Sequence, residues 1–220
     1  MSHAHRYVDG ETLLHPLGKV VCIGRNYAEH AKELNNPIPT EPILFIKPST
    51  SVTPLQEPLS LPQGLGEVHH ELELAVLIGT PLRQADEATA KQAIAGYGLA
   101  LDLTLRELQS KLKEKGQPWE KAKCFDGACP LSPWLRAEAV TDVQNLNLSL
   151  TINGEVRQQG NTADMLTPVY ALLAYASRFF TLEPGDVVLT GTPAGVGPLR
   201  SGDQLSLSLD SLLHITSQVK

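Results

Sequence analysis

Residues 67–79 read EVHHELELAVLIG, and the fold class turns on this stretch. Leu72, Leu74, Val76 and Ile78 recur at every second position, the period of an extended strand with one buried face. Glu71 and Glu73 have the opposite parity, so two carboxylates leave one strand in the same direction, about 7 Å apart at two residues' rise. A later stretch, YGLALDL at 97–103, alternates in the same way. Its Tyr97, Leu99, Leu101 and Leu103 share one side, and Gly98, Ala100 and Asp102 the other. If the two strands lie close, Asp102 joins the glutamates around one point. Like charges at 4 Å repel by about 1 kcal/mol per pair in water and by about 4 kcal/mol at an effective dielectric of 20. Either the glutamates form the solvated face of an amphipathic strand, or a divalent cation compensates them. An all-oxygen donor set selects Mg²⁺, Mn²⁺ or Ca²⁺ over Zn²⁺.

Outward from this centre, further strands are predicted over Lys19–Gly24, Ile43–Lys47, the segment after the Glu183–Asp186 turn, and Gln204–Leu209. The alternation at 145–152 followed by Asn153-Gly154 predicts a hairpin. Helices are expected over Tyr27–Leu34 and Asp86–Ala95. Another should run from a Thr104/Glu107 capping box to Gly116, and one more from Thr167-Pro168 through Phe180. Strands outnumber helices without a regular βαβα rhythm, so the expected class is mixed α/β and β-rich. Residues 1–18 are polar and proline-broken. They are expected to form an N-terminal arm, a mobile tail carrying His3 and His5, with residues 19–220 as the main domain.

The chain has 220 residues, 42% of them hydrophobic and 19% charged, which suits one compact folded domain. Eighteen basic residues against 24 acidic ones give a net charge of −6, and no basic cluster is present. Nucleic acid and anionic membrane are therefore excluded as partners. The longest apolar run, residues 169–176, is far short of the roughly 20 needed to span a bilayer. No signal core opens the chain, and a cytoplasmic protein is expected. Cys22, Cys124 and Cys129 lack metal or disulfide spacing and read as buried thiols.

Several side chains could serve chemistry. His30 and Glu33, three apart on a helix, share a face, and a carboxylate beside an imidazole raises its basicity. The same pairing is also common on protein surfaces. Arg106 and Gln109 are likewise three apart just after Asp102. An Arg fork suits a carboxylate, and Lys123 could neutralise developing charge. His69 and His70 do not complete HExxH, because residue 74 is leucine; His70 has core parity. The run from Gly191 to Gly197 reads either as a plain tight turn or as backbone donors plus the Thr192 hydroxyl for a small carboxylate.

Six blocks, GRNYAEHAKEL (24–34), HHELELAVLIG (69–79), DLTLRELQ (102–109), KCFDGACPLSPW (123–134), NGEVRQQGNTADM (153–165) and GDVVLTGTPAGVGPLRSGD (185–203), together resemble the fumarylacetoacetate hydrolase family, most closely its small acylpyruvase branch. The resemblance implies a mixed β-sandwich roll with a few peripheral helices over 19–220, usually a homodimer. It implies Glu71, Glu73 and Asp102 as ligands of Mg²⁺ or Mn²⁺. His30 and Glu33 become a water-activating pair on a lid segment, with Lys123 and Gln109 as further catalytic groups. Arg25, Asn26, Lys47, Arg106, Gly191, Thr192 and Pro193 become contacts to a small 2-oxo acid. The implied activity is hydrolysis of the C3–C4 bond of 2,4-dioxo acids, releasing pyruvate and a carboxylic acid. Oxaloacetate decarboxylation or keto–enol tautomerisation at the same site is the alternative, and a non-catalytic metal-binding module is a third reading.

Overall fold

The computed structural model describes residues 3–34 and 36–220. The first half of the chain contains β1 (Val20–Gly24), α1 (Ala28–Glu33), β2 (Ile43–Lys47), β3 (Val52–Pro54), β4 (Val68–His70), β5 (Leu72–Ile78), α2 (Glu87–Gln92) and β6 (Ile94–Leu101). Then come β7 (Thr104–Leu105), α3 (Arg106–Glu114), α4 (Glu120–Lys123), β8 (Cys129–Leu131), β9 (Leu135–Arg136), β10 (Asn147–Ile152) and β11 (Glu155–Asn161). The last elements are α5 (Val169–Phe179), β12 (Val187–Leu189), β13 (Gly197–Pro198), β14 (Gln204–Leu209) and β15 (Leu213–Gln218). The fold is mixed α/β and strand-rich, as the alternation predicts. No helix among the described residues is long and apolar enough to cross a membrane.

The principal sheet has the order β2-β1-β12-β5-β6-β8-β3, with β9 added on β6. A second sheet, β11-β10-β14-β15, packs β10 on β5 and β14 on β6. The sandwich between them is filled by Leu72, Leu74, Val76, Leu99, Leu101, Leu148, Leu150 and Leu207. The hairpin joining β10 to β11 forms at Asn153 and Gly154, whose φ values of 52° and 84° are both positive, as a type I′ turn requires.

The other face of the principal sheet is covered as well. Ala75, Leu77 and Ala100 join Val20, Cys22, Leu189 and Trp134 in a second core, against which Tyr7, Leu13 and Leu17 pack. The solvated-face alternative for the glutamates is therefore ruled out, and every residue of β5 is buried. The mobile-tail reading of the N-terminal arm is corrected on the same ground. His5 is fully buried, with Nε2 2.9 Å from the Gly185 carbonyl and Nδ1 accepting from the Trp134 indole at 3.1 Å. Apolar residues spaced along an otherwise polar arm suffice to dock it, because the sheet face beneath needs cover.

A three-stranded sheet, β13-β4-β7, sits beside the principal one. The chain passes from one to the other at Glu71, between β4 and β5, and returns at Asp102, between β6 and β7. The two crossing points are joined by the Asp102 N–H, which donates to the Glu71 carbonyl at 2.8 Å. Pairing of Thr104 with His69 in this small sheet also removes the predicted capping box. The Thr104 hydroxyl donates to the Asp102 carbonyl at 3.0 Å, and α3 begins two residues later without a side-chain cap. Thr167 likewise does not cap α5, whose N-cap is Pro168.

Candidate active site

The crossing points bring Glu71, Glu73 and Asp102 together. One carboxylate oxygen from each lies within 4.8 Å of the others, and all three side chains are buried. Cations answer two of them. Lys123 Nζ donates to Glu71 Oε2 at 2.7 Å and to Asp102 Oδ2 at 2.8 Å, and Arg106 donates to Glu71 Oε1. Burial pushes the Glu71 carboxyl up, but Lys123 and Arg106 outweigh it and hold the group well below the usual carboxylate range. Glu73 receives only the Gly191 N–H, at 2.6 Å, and no cationic side chain among the described residues pairs with it. Burial, then Asp102 and Glu71, push its carboxyl well above the ordinary value.

Lys47 bears on Asp102 from behind. Its ammonium donates to the carbonyls of Leu103, Lys123 and Ala128, using its three protons. Asp102 Oδ1 lies 2.7 Å from that ammonium yet is buried without a hydrogen bond. A trio of converging buried carboxylates, one of them held from ionising by its neighbours, fits a hard dication. The donor set is all oxygen.

Helix α1 forms one wall of the site. His30 is buried, and its Nδ1 lies 3.4 Å from Glu33 Oε2. Burial lowers the imidazole pKa below its ordinary value, with Glu71 and Glu33 opposing. The Glu33 carboxylate also accepts the Gly195 N–H, at 3.0 and 3.2 Å to its two oxygens, fastening α1 to the 191–197 loop. That loop needs its first glycine. Gly191 has φ +99°, and a Cβ there would stand 2.6 Å from Asn26 Cβ; only with glycine does the N–H reach Glu73.

Glu71, Glu73, Asp102, His30, Lys123 and Arg106 line a cavity of about 40 Å³. Gln109 lies beside them, its Oε1 accepting from Arg106 Nη1 at 2.8 Å. A model of the family described as "Fumarylacetoacetate (FAA) hydrolase C-terminal" matches residues 19–220.

The chain belongs to the fumarylacetoacetate hydrolase family. Among relatives of the family, the Escherichia coli (strain K12) protein named oxaloacetate tautomerase YcgM is 58% identical over 209 residues, covering 94% of this chain and 95% of that one. A crystal structure of a family protein from Yersinia pestis CO92 superposes with a TM-score of 0.97 at 56% identity, covering 99% of this chain and 100% of that one. The structure of fumarylpyruvate hydrolase from Pseudomonas aeruginosa, solved with Mn²⁺ and pyruvate, superposes at 0.93 with 34% identity, covering 99% and 95%. The tautomerase name thus accompanies the higher identity, and it favours the oxaloacetate alternative over the acylpyruvate hydrolysis expected first from the sequence.

Measured against the contacts that the family resemblance implies, two residues stand elsewhere. Asn26 is buried behind the cavity, where its amide donates to the carbonyls of Thr190 and Thr167 and accepts the Thr167 N–H. It braces the ends of β1 and β12. Lys47 is fully buried on Asp102 and also lies outside the cavity. Thr192 does line the cavity, but its hydroxyl donates to the Leu72 carbonyl at 2.8 Å. Pro193 packs against Gly160, where a Cβ would come within 2.7 Å of it. Arg25 is in the cavity wall.

Two residues escaped the sequence reading. Gln158, buried on β11, accepts from Leu72 N–H at 2.9 Å, bonds His70 Nδ1 at 2.8 Å, and donates to Thr192 Oγ1 and the Pro193 carbonyl. It ties the strand bearing the glutamates to the 191–197 loop. The hairpin register could have revealed it, because Gln158 pairs with the core residue Leu150. Lys113 lines the cavity. It lies seven residues after Arg106 and four after Gln109, on the same helical face.

Proposed function

We propose that this protein interconverts the keto and enol forms of oxaloacetate. The observation that carries the reading is a buried His30, held by Glu33, facing three converging carboxylates across a cavity of about 40 Å³. The tautomerase name of the 58% identical relative supports the same reading.

With Nδ1 turned to Glu33, His30 has Nε2 available to take a proton from C3 of the keto form. The electron pair of that C–H bond becomes the C2–C3 double bond, and the C2 oxygen gains the negative charge. Return of the proton from His30 to that oxygen completes the enol, and the reverse sequence restores the ketone. Although burial disfavours the charge on Lys123, Asp102 and Glu71 hold the ammonium protonated well beyond its ordinary range. It serves as a donor toward the developing oxyanion. Mg²⁺ or Mn²⁺, held by Glu71, Glu73 and Asp102, would supply Lewis-acid polarisation of the 2-oxo group. Gln109, oriented by Arg106, offers its amide N–H to the same end of the substrate.

A second reading, cleavage of an acylpyruvate, is favoured by the fumarylpyruvate hydrolase that superposes at 0.93. There His30 would deprotonate a water and not a carbon. The deciding measurement follows enol disappearance from oxaloacetate, CO₂ release from oxaloacetate and pyruvate release from acetylpyruvate side by side at fixed Mg²⁺. Tautomerisation should have the highest kcat/KM and fall about 10²- to 10⁴-fold in His30→Ala; faster pyruvate release from acetylpyruvate would select the second reading. We assign the working form as a homodimer, supported by β2 ending the principal sheet beside an apolar groove of Ile43, Phe45, Trp119 and Phe180. Light scattering at assay concentration tests it, with a monomer mass as the contrary result.

A further inference from the structure

The cavity is charged unevenly. Around its three carboxylates, Lys123, Lys47 and Arg106 are engaged in ion pairs. Arg25 and Lys113 also line it, and no carboxylate among the described residues forms an ion pair with either. Both are partly buried. Lys113 Nζ donates to Asn36 Oδ1 at 2.9 Å, a neutral partner that positions the ammonium without balancing it. Arg25 has φ +59°, a left-handed conformation that a residue with a Cβ keeps only where its surroundings fix it.

Two cations drawn partly out of water, beside a third that already serves Glu71, repel one another unless an anion lies between them. Burial lowers the Lys113 pKa, and the charges of Arg25 and Arg106 lower it further. The chain supplies no such anion, whereas the proposed substrate does. Oxaloacetate has a second carboxylate, at C4, on the side of C3 away from the 2-oxo group.

We infer that Arg25 and Lys113 form a clamp for the substrate's distal carboxylate and make the site selective for diacids, an inference that rests on the oxaloacetate reading. Arg106, Gln109 and Lys113 lie along one face of α3, so a single helix presents groups to both ends of a four-carbon acid. Neither clamp residue touches the reacting atoms. They set which substrate binds and in which orientation, so their effect belongs in KM.

The test compares oxaloacetate with its C4 methyl ester, which keeps the shape and removes the distal charge, in wild type, Lys113→Met, Lys113→Arg and Arg25→Met. Wild type should favour the diacid. The ratio of the two kcat/KM values should fall about 10- to 100-fold in each Met variant, mostly through KM, and recover in Lys113→Arg. An unchanged ratio in both Met variants, or equal losses on both substrates, would overturn the clamp. Calorimetric titration with malate and its C4 methyl ester, neither of which has the 2-oxo group, separates the two claims. If wild type turns over neither oxaloacetate nor its ester yet prefers malate, and Lys113→Met abolishes that preference, the clamp stands and the tautomerase reading falls. If oxaloacetate is tautomerised but malate and its ester bind alike, the clamp falls and the tautomerase reading stands.

Discussion

Along the Glu71–Leu77 segment one face presents Glu71, Glu73, Ala75 and Leu77 in succession, and its two halves serve opposite ends. Ala75 and Leu77 have no exposed surface and pack with Val20, Cys22 and Trp134. Full burial of a leucine contributes roughly 1.5–3 kcal/mol. Glu71 and Glu73, nearly as well buried, repel each other and Asp102, and need Lys123, Arg106 and the Gly191 N–H to be tolerated. The difference arises where the strand leaves the principal sheet. Beyond Leu72 the chain turns toward β4 and Glu71 finds Lys123 and Arg106, whereas Glu73, still paired with Ala100 in the sheet, receives only the Gly191 N–H. The fold supports the site with one half of a face and concentrates its unfavourable charge in the other.

Replacing Glu73 by Gln breaks the acidic half most severely. Activity should fall about 10³-fold, the order expected when a group that holds transition-state charge is lost. The metal-free protein should melt higher than wild type, because one of three crowded carboxylates is gone. Added Mg²⁺ should raise the wild-type melting temperature and leave that of the variant unchanged; equal shifts in both would contradict the ligand assignment. Leu77→Ala acts on the other half. Chemical denaturation should give a loss of about 2–5 kcal/mol, with kcat per folded molecule within about threefold of wild type, since the cavity it leaves lies in the second core.

Gln158→Ala sharpens the contrast, because Gln158 serves both stability and site. Loss of its bonds to Leu72, His70 and Thr192 should lower stability by about 1–3 kcal/mol and also reduce kcat, as the 191–197 loop is released. A stability loss with kcat intact would make it purely structural. The smallest effect is that of mild acid. His3, His5, His30, His69 and His70 all have folded pKa values below 6.5, chiefly through burial, with His3 lowered to about 4. Below pH 6.5 the unfolded chain takes up protons first, so stability should decline as pH falls through 6.5 toward the lowered folded values. A melting temperature that is flat from pH 7 to 5 would mean that these rings are not buried neutral.

Much of this was legible in residue parity. The alternation at 67–79 and 97–103 assigns the acids and the leucines to opposite faces, and Asn153-Gly154 marks its hairpin. Parity does not say what covers a face, so the burial of Glu73 and the docking of the arm on Leu77 and its neighbours had no local signature. The capping box failed because Thr104 pairs with His69, a contact 35 positions away in the chain. Asn26 and Lys47 lie near the site in sequence and space, yet only the structure shows their polar atoms turned to the protein's own backbone.

The Glu33 carboxylate grips the Gly195 amide and the His30 ring at once. Parting α1 from the loop therefore also releases the imidazole from its partner. One carboxylate thus holds two neighbours in register, and neither contact can be lost without loosening the other.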